Sequence, residues 1–206
     1  MGKEVIILAG GLGTRLRDVV KDVPKCMAPV AGKPFLWYLL KYLARFDVRR
    51  VVLSTGYLHE VVKQWVSTYW KYFPFEIRIL TEPEPLGTGG ALKFVLQKGC
   101  QTDVILINGD TFFDVDLDEL YEMHRLYPSS ITMALKPMDN FDRYGNVKID
   151  SVNNQILHFE EKYPCGKGLI NGGIYVINTC ESLFEGLTDK FSFEREVLTR
   201  QCELGK

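Results

Sequence analysis

The sequence predicts an α/β protein with a mostly parallel, mixed sheet, helices on both faces and a smaller part rich in β-strands. Three observations support this. Short apolar runs recur along the first 127 residues, amphipathic helical patterns lie between them, and the later residues form strand patterns separated by turns. Alternation of strands and helices is typical of a sheet covered by helices on both sides.

Four apolar runs are expected to be buried parallel strands, at residues 5–8, 51–54, 77–80 and 104–107. A helix is expected to begin at Pro34, and its inward residues would be Leu36, Leu39, Leu40 and Leu43. A second helical face comprises Leu58, Val61, Val62, Trp65, Val66 and Tyr69, and a third comprises Leu117, Leu120, Tyr121 and Leu126. The alternation of strands and helices at this spacing predicts a Rossmann-like parallel sheet with right-handed crossovers.

The pattern changes after residue 126, where little helix is expected. Strands are predicted at 131–136, 146–150, 155–160 and 173–177, with Asn153-Asn154 as a hairpin turn. No repeat, linker or low-complexity segment separates the two halves. Residues 1–206 are therefore expected to form a single domain, with nucleotide-type contacts from the first part and a wall for another substrate from the second.

Composition excludes several classes of function. The 206 residues include 25 Lys+Arg and 26 Asp+Glu, a balance that argues against a nucleic-acid partner. No apolar run approaches the roughly 20 residues that span a bilayer, and the first residues do not form a signal peptide. The five cysteines are odd in number and form no CxxC pair, which favours a reducing cytoplasm over a disulfide framework or zinc site.

The loop GGLGTRL at residues 10–16 directly follows the first predicted strand, and Pro24-Lys25 comes soon after it. Its glycines permit positive φ and close backbone approach, so their N–H groups can surround a phosphate. Arg15 can grip phosphate oxygens, and Lys25 adds a second cation. The loop lacks the third glycine of GxGxxG and the GKS or GKT of a Walker loop. The alternative is a tight surface turn with a solvated arginine.

Asp110 ends the segment Asn108-Gly109-Asp110, which follows the strand at 104–107. A carboxylate beside a phosphate loop requires a cation between them, and Mg²⁺ prefers oxygen ligands of this kind. The alternative is a simple turn residue. Asp114 and Asp116 form a second acidic pair, although Asp116 is expected to cap the following helix.

A third loop, EPEPLGTGGA at residues 82–91, follows the strand at 77–80 and opens a helix. Pro83 and Pro85 stiffen it, while Gly87, Gly89 and Gly90 would let a flat ligand approach the main chain. Three loops of this type at the carboxyl ends of three strands predict one ligand site.

Together these segments resemble the sugar-1-phosphate nucleotidyltransferases over nearly the whole chain. GGLGTRL with Pro24-Lys25 is similar to the family's activating loop, LGTGGA to its base-and-ribose loop, and NGD to its metal aspartate. Glu160-Glu161-Lys162 is similar to its EK motif, and NGGIY at 171–175 to its sugar-binding strand. The resemblance implies a nucleotide-diphospho-sugar transferase fold, with residues 1–127 binding nucleotide and residues 128–206 binding sugar phosphate.

The resemblance also implies roles for the matching residues. Arg15 would hold the leaving pyrophosphate, Lys25 the triphosphate, Asp110 a Mg²⁺ ion and Lys162 the incoming sugar phosphate. The nucleotide set is Leu8, Gly10, Gly11, Gly13, Thr14, Glu82, Pro85, Gly87, Thr88, Asn108 and Gly109. The sugar set is Tyr144, Gly145, Glu161, Asn171 and Gly172, with Arg143 either a contact for extra hydroxyls or a surface arginine.

The implied reaction is in-line attack of the sugar phosphate on the α-phosphorus of a nucleoside triphosphate. A phosphate monoester has its second pKa near ~6 and is mostly ionised at neutral pH, so no general base is required. Accordingly, His59, His124 and His158 lie outside every ligand-type loop. The protein's task is to position the substrates and neutralise charge. Its partners would be small molecules, and a homodimer is one arrangement that the sequence leaves open.

Glu82 bears on the choice of base. Guanine presents two adjacent donors, N1–H and the 2-amino group, and a carboxylate accepts both in parallel. Thymidylyl and uridylyl relatives usually have glutamine at this place. We therefore interpret Glu82 as a guanine reader, the alternative being a solvated glutamate at a strand end.

Segments such as NFDRYGNV, FEEK, GLINGGIY and FSFE are most similar to guanylyltransferases acting on D-glycero-α-D-manno-heptose 1-phosphate. The alternatives are mannose-1-phosphate guanylyltransferases, uridylyl or thymidylyl relatives, a glycosyltransferase using Asp114-Val115-Asp116 as D-x-D, and a non-catalytic sensor. Relatives usually carry a second metal aspartate in a D-x-G-x-P-like stretch near the C-terminus. This sequence lacks one, so an incomplete C-terminus is expected, or a second ligand from elsewhere such as Asp114.

Overall fold

A computed structural model describes residues 2–11, 23–127 and 129–205. Its main sheet contains β1 (Lys3–Leu8), β4 (Val48–Thr55), β5 (Glu76–Thr81), β6 (Asp103–Asn108), β7 (Ile131–Phe141) and β10 (Cys165–Asn178). The spatial order is β5-β4-β1-β6-β10-β7. Strands β5, β4, β1 and β6 are parallel, and β10 is antiparallel to both its neighbours. The predicted mostly parallel, mixed sheet is confirmed.

Smaller elements complete the fold. The helices are α1 (Phe35–Leu43), α2 (His59–Tyr69), α3 (Gly87–Leu96) and α4 (Leu117–Leu126). Two short strands, β2 (Pro29–Val30) and β3 (Lys33–Pro34), precede α1, and β8 (Gly145–Ile149) pairs with β9 (Ile156–Lys162) as a separate hairpin. Single 3₁₀ turns lie at Lys25–Met27, Trp70–Tyr72 and Glu181–Phe184, and a π-helical segment at Phe193–Leu198 continues into α5 (Thr199–Glu203).

Side chains of β1 alternate between two apolar layers, as the pleat of a strand requires. Val5 and Ile7 face the layer containing α1, α2 and α4, whereas Ile6 faces the layer containing α3 and the C-terminal helix. The predicted inward leucines of α1 are almost wholly buried. Helices therefore cover both faces of the sheet, and its carboxyl edge is left for the loops that follow the strands.

The predicted hairpin turn is present between β8 and β9. Asn154 has a φ of 59°, a left-handed conformation that asparagine tolerates better than most residues. Asp150 N–H donates to the Gln155 carbonyl at 2.8 Å. The turn thus closes the small sheet that lies beside the main one.

Strand β10 and the C-terminal helix differ most from the sequence prediction. Strand β10 has 14 residues rather than the five expected, because it pairs with β7 back to Cys165 opposite Phe141. The helix over residues 193–203 was not predicted, although Phe193, Val197 and Leu198 are buried at helical spacing. Within the described ranges, no helix has the length and apolar character needed to cross a bilayer.

Candidate functional site

The carboxyl ends of β1 and β6 meet at the centre of the sheet, where β1 separates strands added in opposite directions. Gly109 N–H donates to the Leu8 carbonyl at 2.9 Å. A Cβ at Gly109 would lie only 2.6 Å from that oxygen, so a larger residue would push the two loops apart. Leu8, Asn108 and Gly109 are thus brought together at a topological switch point, the usual ligand position in such sheets.

Lys25 and Asp110 are joined across this edge. Lys25 Nζ donates to Asp110 Oδ2 at 3.0 Å, and the carboxylate remains about half exposed. The neighbouring Cys26 is buried, and that burial raises the pKa of its thiol to about 12. Cys26 is therefore a neutral core residue, while Lys25 and Asp110 present opposite charges to solvent where two loops converge.

The opening loop lies only partly within the described residues. Gly13, Thr14 and Arg15 fall outside them, so their predicted phosphate contacts stay predictions. Gly10 and Gly11 are described, and neither has the positive φ that the glycine-rich pattern suggested. At Gly10 the need for glycine is steric, because a Cβ would lie 2.3 Å from Glu82 Oε1.

Glu82 is a buried carboxylate at the same edge, with 9% of its surface exposed. Ser54 Oγ donates to its Oε1 at 3.0 Å, and Leu86 N–H donates to its Oε2 at 3.3 Å. No lysine, arginine or histidine of the described chain forms an ion pair with it. Burial raises the pKa of Glu82, and the two hydrogen bonds oppose that rise.

The glycines at the start of α3 allow another segment of the chain to pack closely against the helix. Gly87 has a φ of 75°, and Cβ atoms at Gly89 and Gly90 would lie within 2.2 Å of Phe191 and Asp189. The N–H groups of Gly89 and Gly90 donate to the Phe191 carbonyl at 3.0 and 3.3 Å. The Cβ side of these glycines therefore packs against the chain's own segment 189–193, and the approach of a flat ligand to their main chain stays a prediction.

Thr88 links the same helix end to the C-terminal helix. Its Oγ1 accepts from Phe193 N–H at 2.8 Å and donates to Glu194 Oε2 at 2.7 Å. Pro85 is exposed in the preceding loop. Nucleotide contacts by Pro85, Gly87 and Thr88 stay predictions.

The segment 171–173 reaches the site from β10. Asn171 Nδ2 donates to the buried Tyr175 hydroxyl at 2.7 Å, and its Oδ1 accepts from Gly173 N–H at 2.8 Å. A Cβ at Gly172 would lie 2.2 Å from the Phe113 ring, and one at Gly173 would lie 3.2 Å from Asn108 Nδ2. The predicted sugar-binding strand therefore packs directly against the loop that carries Asp110.

The remaining predicted sugar contacts lie on the β8–β9 hairpin or directly before it. Gly145 pairs with Lys162 across the hairpin, and a Cβ at Gly145 would come 2.6 Å from the Glu160 carbonyl. The other predicted contacts in this part are exposed: Arg143, Tyr144, Glu161 and Lys162. Lys162 has no ion-pair partner within the described ranges, so its ammonium is available to an anion.

Asn146 and Glu160 hold this hairpin in place; Glu160 belongs to the predicted EK-like motif, whereas no role was predicted for Asn146. Asn146 is buried; its Nδ2 donates to Glu160 Oε2 at 2.6 Å, and its Oδ1 accepts from Leu169 N–H at 3.0 Å. The Tyr163 hydroxyl donates to the same Glu160 oxygen at 2.7 Å, and this bond lowers the pKa of Glu160. The three contacts tie β8, β9 and β10 together.

The second acidic pair does not form a metal site with Asp110. Arg45 Nη1 donates to Asp114 Oδ1 at 2.8 Å, and Asp116 caps α4 by accepting from Asp118 and Glu119 N–H groups. The expected helix cap is confirmed. Among the described residues, no three His, Cys, Asp or Glu side chains cluster as metal ligands. Asp110 therefore stands as the one predicted metal ligand, and the suggested use of Asp114 has no support.

Comparisons with known proteins show the family to which the chain belongs. The family model described as Nucleotidyl transferase matches residues 4–194. D-glycero-alpha-D-manno-heptose 1-phosphate guanylyltransferase of Aneurinibacillus thermoaerophilus is 44% identical over 198 residues, which cover 96% of this chain and 84% of that protein. The Campylobacter jejuni protein of the same name is 44% identical over 193 residues, covering 93% of this chain and 83% of that protein.

A solved structure shares the fold closely. The crystal structure of HddC from Yersinia pseudotuberculosis complexed with GMP-PN has a TM-score of 0.84 and 36% sequence identity, and the match covers 96% of this chain and 85% of that one. The resemblance drawn from the sequence motifs is confirmed. The chain belongs to the nucleotidyl transferase family.

Proposed function

We propose that this chain transfers GMP from GTP to D-glycero-α-D-manno-heptose 1-phosphate, producing GDP-heptose and pyrophosphate. The observation that carries the proposal is the buried Glu82 carboxylate, which lacks a cationic partner among the described residues and lies at the same carboxyl edge of the sheet as Asp110. A carboxylate without a cation in such a place favours a ligand that supplies donors. Relatives bearing the heptose guanylyltransferase name support the choice of sugar and base.

The chain's own residues would position the substrates and neutralise charge. The sugar phosphate is already mostly ionised at neutral pH, so its oxygen can attack the α-phosphorus without a general base. Lys25, which pairs with Asp110, would contact the triphosphate, and the exposed Lys162 would bind the sugar phosphate. Arg15 would hold the leaving pyrophosphate. Positioning and charge stabilisation of this kind contribute most of the catalysis in phosphoryl transfer.

The donor set fits a magnesium ion. Mg²⁺ commonly uses one or two protein carboxylates and completes its shell with substrate phosphates and water. Asp110 would supply one half-exposed carboxylate to such an ion. When bound, the ion would neutralise phosphate charge and fix the triphosphate.

Glu82 is the residue that we assign to base selection. Its carboxylate lies against the main chain of Gly10, directly after β1, where a base would lie when its triphosphate follows the loop beyond. Guanine can donate N1–H and the 2-amino group to the two carboxylate oxygens. Glu82→Gln should weaken transition-state binding of GTP by about 1–3 kcal/mol, because one donor would face the amide NH₂.

The glycosyltransferase alternative is disfavoured by the acidic pair that it needs. Asp114 is bound by Arg45 and Asp116 caps a helix, so the two carboxylates do not act together as a D-x-D motif. We place the reaction in the cytoplasm, where the five free cysteines would remain reduced.

The test is magnesium-dependent pyrophosphate release with GTP, UTP, dTTP, CTP and ATP, each paired with the heptose, mannose and glucose 1-phosphates. We expect release with GTP and the heptose phosphate above all other pairs. Release with mannose 1-phosphate instead would change the sugar but keep the base. Preference for UTP or dTTP would overturn the assignment of Glu82.

A further inference from the structure

Ser54 donates a hydrogen bond to Glu82 from a buried position in β4. The side chain of Ser54 is fully buried in β4, where the residue pairs with Leu8 of β1 on one side and Leu80 of β5 on the other. The Ser54 carbonyl also accepts from Ala9 N–H at 2.8 Å. The hydroxyl is therefore held by two strands at the point from which it donates to Glu82 Oε1.

This hydrogen bond uses part of the acceptor capacity of the Glu82 carboxylate. An ionised carboxylate offers about four acceptor sites, two on each oxygen. Ser54 occupies one on Oε1 and Leu86 N–H occupies one on Oε2. About one site is left on each oxygen, so the carboxylate retains two acceptors. That number matches a ligand edge with two adjacent donors.

We propose that Ser54 is a positioning residue for base specificity, which orients Glu82 so that its two remaining acceptors face the N1–H and 2-amino donors of guanine. This inference rests on the proposed function. Without the hydroxyl, the Glu82 carboxylate can rotate about its last bond, and the selectivity for the 2-amino group should fall more than the rate of chemistry.

Thr55 provides a matched control. It is the next residue of β4 and is almost fully buried, but its hydroxyl donates to the Leu80 carbonyl at 3.3 Å and does not contact Glu82. Ser54→Ala and Thr55→Val both delete one buried hydroxyl from the same strand. A general loss of packing or stability should therefore affect both variants alike.

The experiment compares GTP with ITP, which lacks the 2-amino group, in the wild type, Ser54→Ala, Thr55→Val and Glu82→Gln. We expect Ser54→Ala to raise KM for GTP by about three- to tenfold, with kcat within twofold and the GTP-over-ITP preference reduced by a similar factor. Thr55→Val should keep the wild-type preference.

The possible failures are distinguishable. A wild-type preference in Ser54→Ala, with Glu82→Gln losing it, would overturn the role of Ser54 and leave the guanine assignment standing. Wild-type preference in Glu82→Gln, or no preference for GTP in the wild type, would overturn both. Equal loss of preference in Ser54→Ala and Thr55→Val would reduce Ser54 to a packing residue and overturn the inference.

Discussion

The carboxylate of Glu82 lies directly against the α-carbon of Gly10, although 72 residues separate them in sequence. A Cβ at Gly10 would lie 2.3 Å from Glu82 Oε1 and 3.0 Å from its Cδ. The loop that follows β1 and the loop that follows β5 thus meet at one acidic side chain. Glu82 can therefore occupy this position only if residue 10 is glycine.

Gly10→Ala should displace the Glu82 carboxylate and weaken nucleotide binding. The added methyl group overlaps Oε1, which cannot move without losing its bond from Ser54. We expect KM for GTP to rise by at least about tenfold, the cost of a lost buried hydrogen bond. Gly166→Ala is the control, because its added Cβ would meet nothing within 4 Å. Unchanged GTP binding in Gly10→Ala would contradict the proposed geometry.

Asp110→Asn should nearly abolish turnover while leaving the fold intact. The substitution keeps the shape of the side chain but removes the charge that faces Lys25 and would hold Mg²⁺. We expect kcat to fall on the order of 100- to 1,000-fold, as for other lost transition-state charge contacts. The matched control is Asp114→Asn, which breaks only the exposed pair with Arg45. A comparable fall in kcat in both variants would contradict this difference and support Asp114 as a second metal ligand.

Thr88→Val should loosen the contact between α3 and the C-terminal helix. It removes the acceptor for Phe193 N–H and the donor to Glu194. We expect the free energy of unfolding in urea to fall by about 1–3 kcal/mol, mainly from the unpaired backbone donor. Thr68→Val serves as the control, since its hydroxyl donates to Gln64 on an exposed helix face. Equal stability of the two variants would argue against a structural role for Thr88.

His124 should make the protein less stable in mild acid. It is buried, its Nδ1 lies 2.8 Å from Thr132 Oγ1, and burial lowers its pKa despite the nearby Asp103. The unfolded chain therefore binds a proton first as pH falls. The stability linked to this group is present above about pH 6.5 and is lost as pH falls through the folded pKa.

Urea unfolding at pH 7.5 and 5.5 checks this linkage. Wild type should lose more stability between the two values than His124→Gln, which keeps a polar side chain but does not titrate. Identical losses would show that His124 does not contribute to the pH dependence.

The strand ends could be predicted because apolar runs closed by polar or glycine-rich loops carry a local signal. That signal placed Leu8, Asp110 and Glu82 at one edge, as the structure has them. The contact between Ser54 and Glu82 could not be predicted in the same way. It depends on the register in which β4 pairs with β5, which no single segment specifies.

The glycines of α3 show the limit of local reasoning most clearly. Gly89 and Gly90 look like positions for a flat ligand, yet their Cβ side packs against residues about 100 positions further along the chain. The C-terminal helix at residues 193–203 was not predicted, although the spacing of Phe193 and Val197 is typical of a buried helical face. Glycine is required for close approach of either a ligand or another segment of the chain, and the sequence alone does not distinguish the two.

The chain is expected to transfer GMP rather than merely to bind nucleotide. The most direct measurement follows GDP-heptose and pyrophosphate together in one reaction of GTP, D-glycero-α-D-manno-heptose 1-phosphate and Mg²⁺. We expect one GDP-heptose for each pyrophosphate released, and formation of both to be slower in Asp110→Asn by a factor on the order of 100 to 1,000. Tight binding of GTP by the wild type with neither product formed would contradict it and favour a sensor.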